Sequence, residues 1–170
     1  MNTKNIFSPR ILCRAALLAA LSLLLGKFLQ IPTGLPYLRI SFENLPLLLC
    51  GYAYGPLVGA LSAAAADLVG CLLYGYSINP LITLGAAIIG ALAGVFGRCG
   101  FFRPPRLYLS VISAHLVGSL GVKTAALAAF YAIPLWQLFL FRAGLYLCTG
   151  GAEFLILYFL LKRKAFRSVL

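Results

Sequence analysis

Apolar residues run along this chain in long blocks, broken at intervals by Pro, Gly or a few basic residues, and the blocks have the length of bilayer-crossing helices. About 20 helical residues cover the roughly 30 Å of hydrocarbon in a membrane. Six blocks meet or approach that length, at 10–29, 41–55, 56–75, 80–98, 107–131 and 135–161. They predict an all-α integral membrane protein, six transmembrane helices in a single membrane domain covering residues 1–170. The second block is short for a full crossing and therefore needs neighbours around it. Gly55-Pro56 joins it to the third so tightly that the two must form a helical hairpin.

Composition supports the same class: 62% of residues are hydrophobic and only 10% are charged, with a mean hydropathy of +1.00. These values lie far outside soluble globular usage. A net charge of +11 suggests nucleic acid in a soluble chain. Here the basic residues sit between apolar blocks, which is how loop charges set membrane topology, and no nucleic-acid partner is expected. Placing both termini in the cytoplasm puts Lys4, Arg10, Arg14, Arg98, Arg103, Arg106, Lys162, Arg163, Lys164 and Arg167 inside, ten of the fourteen Lys and Arg. The N-terminal run starts like a signal peptide, but 21–28 offers no small-x-small exit site, so it is expected to remain as the first span. The five cysteines, Cys13, Cys50, Cys71, Cys99 and Cys148, have neither Cys-x-x-Cys spacing nor a histidine cluster beside them, and no metal, disulfide or cofactor role is expected.

Four cations, Lys27, Arg39, Lys123 and Arg142, are left for the outer face or outer half of the membrane. At 1.5 Å of rise per residue, Lys123 stands about 24 Å up span five and Arg142 about 10 Å below the outer end of span six. Glu43 and Asn79 then fall at the outer ends of spans two and four, Thr83 one turn deeper, and Asp67 near the midplane of span three, with Arg39, Ser41 and Asn44 at the mouth. Ionisable groups in a bilayer cost at least about 2.5 kcal/mol, so they face the protein interior, pair, or line a wet cavity. Arg39, Lys123 and Arg142 set against Glu43 and Asp67 leave one positive charge in excess, which suits an organic anion. The bland alternatives are that Lys123 snorkels outward and that Arg142 pairs with Asp67 as structural glue. Tyr37, Phe42, Tyr74, Tyr76, Tyr131 and Trp136, near the same level, serve either as stacking surfaces for a flat ligand or as an interfacial aromatic belt. His115 and Glu153 each lie about 12 Å from the inner ends of their spans, where they can share an interhelical hydrogen bond or, less simply, a proton.

Small residues recur every four positions: Ala15/Ala19 and Ala16/Ala20, Gly55/Gly59/Ala63, Ala86/Gly90/Gly94 and Gly121/Ala125/Ala129. In lipid such stripes let helix backbones approach closely. No Walker, His-Glu-x-x-His or Gly-x-Ser-x-Gly motif is present, so ATP hydrolysis and hydrolytic catalysis are not expected of this chain.

Arg39-Ile40-Ser41-Phe42, Leu45-Pro46, Gly55-Pro56 and the small-residue helix carrying Ala66-Asp67 follow one another in an order that resembles the substrate-binding subunits (S components) of energy-coupling factor (ECF) vitamin transporters, the folate family among them. The resemblance covers roughly residues 10–75 closely and the rest in architecture. At 76–85 the chain departs from the family's Pro-Gly-Phe-Thr-Leu-Ser entry to the fourth helix, keeping only Pro80, Thr83 and Leu84. The resemblance implies an S-component bundle in the bacterial cytoplasmic membrane that binds folate or a related anionic vitamin and borrows energy from a coupling subunit and two ATPases. With the depth and charge reading above, it gives an expected substrate site of Arg39, Phe42, Glu43, Asn79, Thr83, Lys123, Trp136 and Arg142, and it implies a partner surface of Ala15, Ala16, Ala19 and Ala20. The competing classes are an S component for another vitamin or precursor, a small membrane-embedded enzyme, for which only His115 with Glu153 offers an acid/base pair, and a channel, which the nearly apolar inner half disfavours.

Overall fold

The computed structural model describes residues 8–35, 38–97 and 103–163. Proline opens most of its helices, because a first-turn proline forfeits no helical hydrogen bond: α1 Pro9–Phe28, α3 Pro56–Tyr74, α4 Pro80–Gly97 and α5 Pro104–Ser113. Ser8 caps α1, its hydroxyl accepting from the Ile11 amide. The fifth rod continues from α5 through a π-helical segment, Ala114–Lys123, into α6, Thr124–Tyr131, and α7 runs from Leu135 to Lys162. Gly55 ends α2, Asn44–Tyr54, and Gly75 ends α3, both with positive φ, which a residue without Cβ adopts freely.

Among the described residues, five helices are long and apolar enough to cross a membrane. α2, Asn44–Tyr54, is not, at eleven residues or about 16 Å. It is buried along nearly its whole length, from Asn44 to Tyr52, and packs against α1, α3, α4, α5 and α7. A helix apolar on every side has no face for lipid or water and takes the centre of the bundle.

Two departures from the sequence expectation stand out. The segment between the first two helices is an antiparallel hairpin, β1 Ile31–Leu35 with β2 Leu38–Ile40, pairing Ile31 with Ile40 and Pro32 with Arg39. The expected second helix starts at Asn44 rather than 41 because the chain is still leaving that hairpin.

The tightest packing is made by glycine. At Gly59, Gly90, Gly94 and Gly97 an added Cβ would run into backbone atoms of the facing helix or of the Gly55-Pro56 turn. The two four-residue stripes on α3 and α4 therefore pack against each other, van der Waals contact being what holds helices together in lipid. Beside them Leu45, Leu48 and Leu49 of α2 meet Ile89, Leu107, Val111, Leu157 and Leu161 in an apolar core.

Alternation of the helices puts the hairpin, the 75–79 turn and the 132–134 turn at one end. Arg10, Arg14, Arg103, Arg106, Lys162 and Arg163 lie at the other, which is therefore the cytoplasmic end of this multi-pass membrane protein. Lys4, Arg98, Lys164, Arg167, Tyr37 and Cys99 lie outside the described residues.

Candidate functional site

Because α2 stops short, the outer half of the bundle has no central helix, and a cavity occupies its place. It measures about 480 Å³ including its open mouth. Ser22, Leu23 and Gly26 of α1 line it on one side, and Ala63, Ala66, Asp67, Gly70, Cys71 and Tyr74 of α3 on another. Glu43, Asn44 and Leu47 at the start of α2 floor it, with Ala86 of α4, Lys123 and Tyr76 completing the wall. The small residues make the room and the polar ones carry the chemistry.

Lys123 reaches this cavity only because of the π segment. From the buried Leu107, an uninterrupted α-helix turning about 100° per residue would place Lys123 about 160° round the rod, facing lipid. A π turn closes over five residues instead of four and so lags behind that rotation. The lag returns Lys123 to the protein side, where it is only 8% exposed. Its Nζ lies 3.9 Å from Glu43 Oε1. That distance makes an ion pair but not a hydrogen bond, which leaves ammonium donors for another acceptor. The outward-snorkelling alternative is thereby overturned.

The remaining polar groups are held by neighbours. Ser22 donates to the Glu43 carbonyl at 2.5 Å and fixes the start of α2 against α1. The Thr83 hydroxyl donates to Asp67 Oδ2 at 2.7 Å. Tyr74 donates to the Leu23 carbonyl at 2.6 Å and meets Tyr76 edge-on with ring centres 6.1 Å apart, while the Lys27 ammonium lies 4.9 Å from the Tyr74 ring centre. Asn44 is buried, and its Oδ1 has no hydrogen-bond partner among the described residues. A buried orphan acceptor on a cavity floor invites a ligand donor.

The cavity thus takes in Glu43 and Lys123, with Thr83 behind it on Asp67. Asn79 instead caps α4, accepting from the Leu81 amide at 3.0 Å, and Phe42 is half-buried at the entry to α2, its carbonyl accepting from Leu45. Trp136 does not join the site: it is 68% exposed on the outside of α7. Arg142 is buried but bonded along its own helix, Nη2 donating to Tyr146 Oη at 2.6 Å. Asp67 accepts from Thr83, and the alternative in which Arg142 pairs with Asp67 is not seen among the described residues. Arg39 lies on β2, which packs against α7, the helix that carries Arg142. Sequence reasoning left out Ser22, whose hydroxyl binds the Glu43 carbonyl, and Gly26 and Gly70, whose small size is their contribution and leaves no chemical signal.

On α1 the four alanines divide. Ala15 is buried beside Cys50 and Val58, and Ala19 packs against Leu47, Ala63, Ala66 and Ala86. Ala16 and Ala20 are exposed. Small residues at i and i+4 share one face, so the two pairs form an inner and an outer stripe.

Residues 6–148 match the model of the family described as ECF-type riboflavin transporter, S component. Among curated proteins, the folate transporter FolT of Clostridium novyi (strain NT) is 30% identical over 82 residues, 48% of this chain and 46% of that protein. The uncharacterized protein MG098 homolog of Mycoplasma pneumoniae is 33% identical over 95 residues, 55% of this chain and 20% of that protein. The chain thus spans less than half the length of either relative. A crystal structure of FolT bound with folic acid superposes with a TM-score of 0.80 over 91% of this chain and 94% of the other, at 22% identity, which establishes the shared fold.

Proposed function

Since the chain belongs to the ECF-type transporter S-component family, and is therefore a vitamin transporter's binding subunit rather than an enzyme, we propose that it captures folate or a closely related anionic, ring-bearing vitamin in the outer cavity. The observation that carries this reading is the cavity's own chemistry: a buried ammonium with no hydrogen-bonded acceptor among the described residues shares the cavity with the buried, unpaired Asn44 Oδ1 and the Tyr74–Tyr76 ring pair. A pterin-like ring presents donors on one edge, which Asn44 Oδ1 and Asp67 can accept, and flat faces that Tyr74 and Tyr76 can contact. Its carboxylates need cations. Lys123 supplies one inside the cavity, and in this reading Arg39 of β2 and Arg142 of α7 are the further cations. Riboflavin is the second reading, favoured by the description of the matching family, but a neutral ligand brings Lys123 no counter-charge beyond that of Glu43.

Transport then requires a coupling subunit and two ATPases. Ala16 and Ala20 are the docking stripe in this reading, since they are exposed where Ala15 and Ala19 are not. Close helix approach tolerates no added bulk. Cells carrying the chain with its coupling module should take up labelled folic acid, and the Ala16→Leu/Ala20→Leu double variant should lose that uptake while the purified variant still binds folic acid normally. Loss of binding with uptake machinery still co-purifying would make the stripe internal packing instead.

A further inference from the structure

A second buried polar cluster lies inward of the cavity, between the π segment and α7. His115 Nε2 is 2.6 Å from Glu153 Oε2, and His115 Nδ1 is 3.3 Å from Ser119 Oγ. The imidazole stacks on the Tyr146 ring at 5.3 Å between centres, and Gly150 leaves room for its edge. Glu153 is fully buried, and its other oxygen, Oε1, has no hydrogen-bond partner among the described residues. A half-satisfied carboxylate in the middle of a bilayer is a costly way to pack two helices. Leucine at this position would pack them at no such cost.

The cluster is not placed at random along the rod. His115 and Ser119 belong to the same π segment, Ala114–Lys123, whose last residue is Lys123. The far end of that segment is tied down as well, the Thr124 hydroxyl donating to the Ser119 carbonyl at 2.9 Å. A π segment forgoes the shorter i→i+4 bonds that the same residues would make in an α-helix, so it persists where outside contacts hold it, and such segments concentrate at functional sites. If those contacts are removed, the rod can relax toward α-helix, and the rotation that brings Lys123 into the cavity is lost.

We infer that Glu153, acting through His115, is a positioning residue for Lys123: the pair latches the π register to α7 and so keeps the ammonium in the cavity. Glu153 touches no ligand in this arrangement. The link to binding rests on the reading of Lys123 as an anion anchor, whereas the register claim stands on the geometry alone.

The two claims can be tested separately. In membranes treated with dicyclohexylcarbodiimide, the activated Glu43 carboxyl is attacked by the Lys123 amine, the reagent leaves as its urea, and an amide joins the two residues. The joined peptides are read by mass spectrometry without any vitamin present. Wild type and Glu153→Gln, which keeps the hydrogen bond, should cross-link alike. Glu153→Leu should lose the cross-link, and so should Thr124→Val, a milder change at the other end of the segment that covers the case of a Glu153→Leu chain that does not fold. Glu153→Leu and Thr124→Val cross-linking as wild type does would overturn the positioning role. In parallel, folic acid affinity should fall in Glu153→Leu by as much as in Lys123→Met, about tenfold to a hundredfold as for one lost charge-assisted contact, and no further when the two changes are combined. If folic acid fails to bind wild type while the cross-linking pattern holds, the ligand reading falls and the positioning of Lys123 stands.

Discussion

Gly90→Val should leave no monodisperse folded protein in detergent, and even Gly90→Ala should unfold at a clearly lower temperature than wild type. A Cβ at Gly90 meets the Gly59 carbonyl and the Ala60 amide on α3. Both are backbone atoms, so no side chain can swing aside, and the two helices must separate along a contact that includes Gly94 and the Gly55-Pro56 turn. Overpacking in a tight interior costs about 1–3 kcal/mol even where side chains can yield, and here they cannot. Gly144→Ala and Gly151→Ala are the controls. Neither position has a heavy atom within 4 Å of an added Cβ, and alanine is the better helix former by up to about 1 kcal/mol. Thermal unfolding with size-exclusion chromatography reads both effects. A Gly90→Val chain that elutes and melts like wild type would mean that α3 and α4 do not approach as described.

Lys123→Met should weaken folic acid binding by about tenfold to a hundredfold, the equivalent of one charge-assisted hydrogen bond worth about 1.5–3 kcal/mol. The upper end is expected, because the change also removes the cation 3.9 Å from Glu43, whose negative charge then repels an anion more strongly. Adding Glu43→Gln to Lys123→Met should therefore recover part of the loss. Titration calorimetry on the purified variants checks it. Unchanged affinity in Lys123→Met would remove the ammonium from the site.

Much of the bundle was legible because its punctuation is chemical. Pro9, Pro56, Pro80 and Pro104 start helices, and Gly55 and Gly75 end them, so the proline and glycine pattern alone sets most boundaries. The hairpin at 31–40 was not legible. Its strands are short, carry Pro32 and Gly34, and lack the alternation that marks a strand. The π segment was invisible for a different reason: its signature is a hydrogen-bond register, and nothing in Ala114–Lys123 distinguishes five-residue closure from four. Depth counting therefore placed Lys123 at the right level without fixing which way it faced. His115 and Glu153, at matched depth, do meet. Trp136 is the instructive failure. It lies six positions before Arg142 on one helix, about 120° away round the axis, so the buried arginine already implied an exposed tryptophan.

The central claim is that the outer cavity selects an anionic, ring-bearing vitamin by placing its charge on Lys123. The most direct test is titration of the purified wild-type chain with folic acid and, separately, with riboflavin, in the same detergent and buffer. The account predicts saturable one-to-one binding of folic acid, with riboflavin binding far more weakly or not at all. Tight binding of riboflavin with none of folic acid would contradict it and make the cavity a site for a neutral ring.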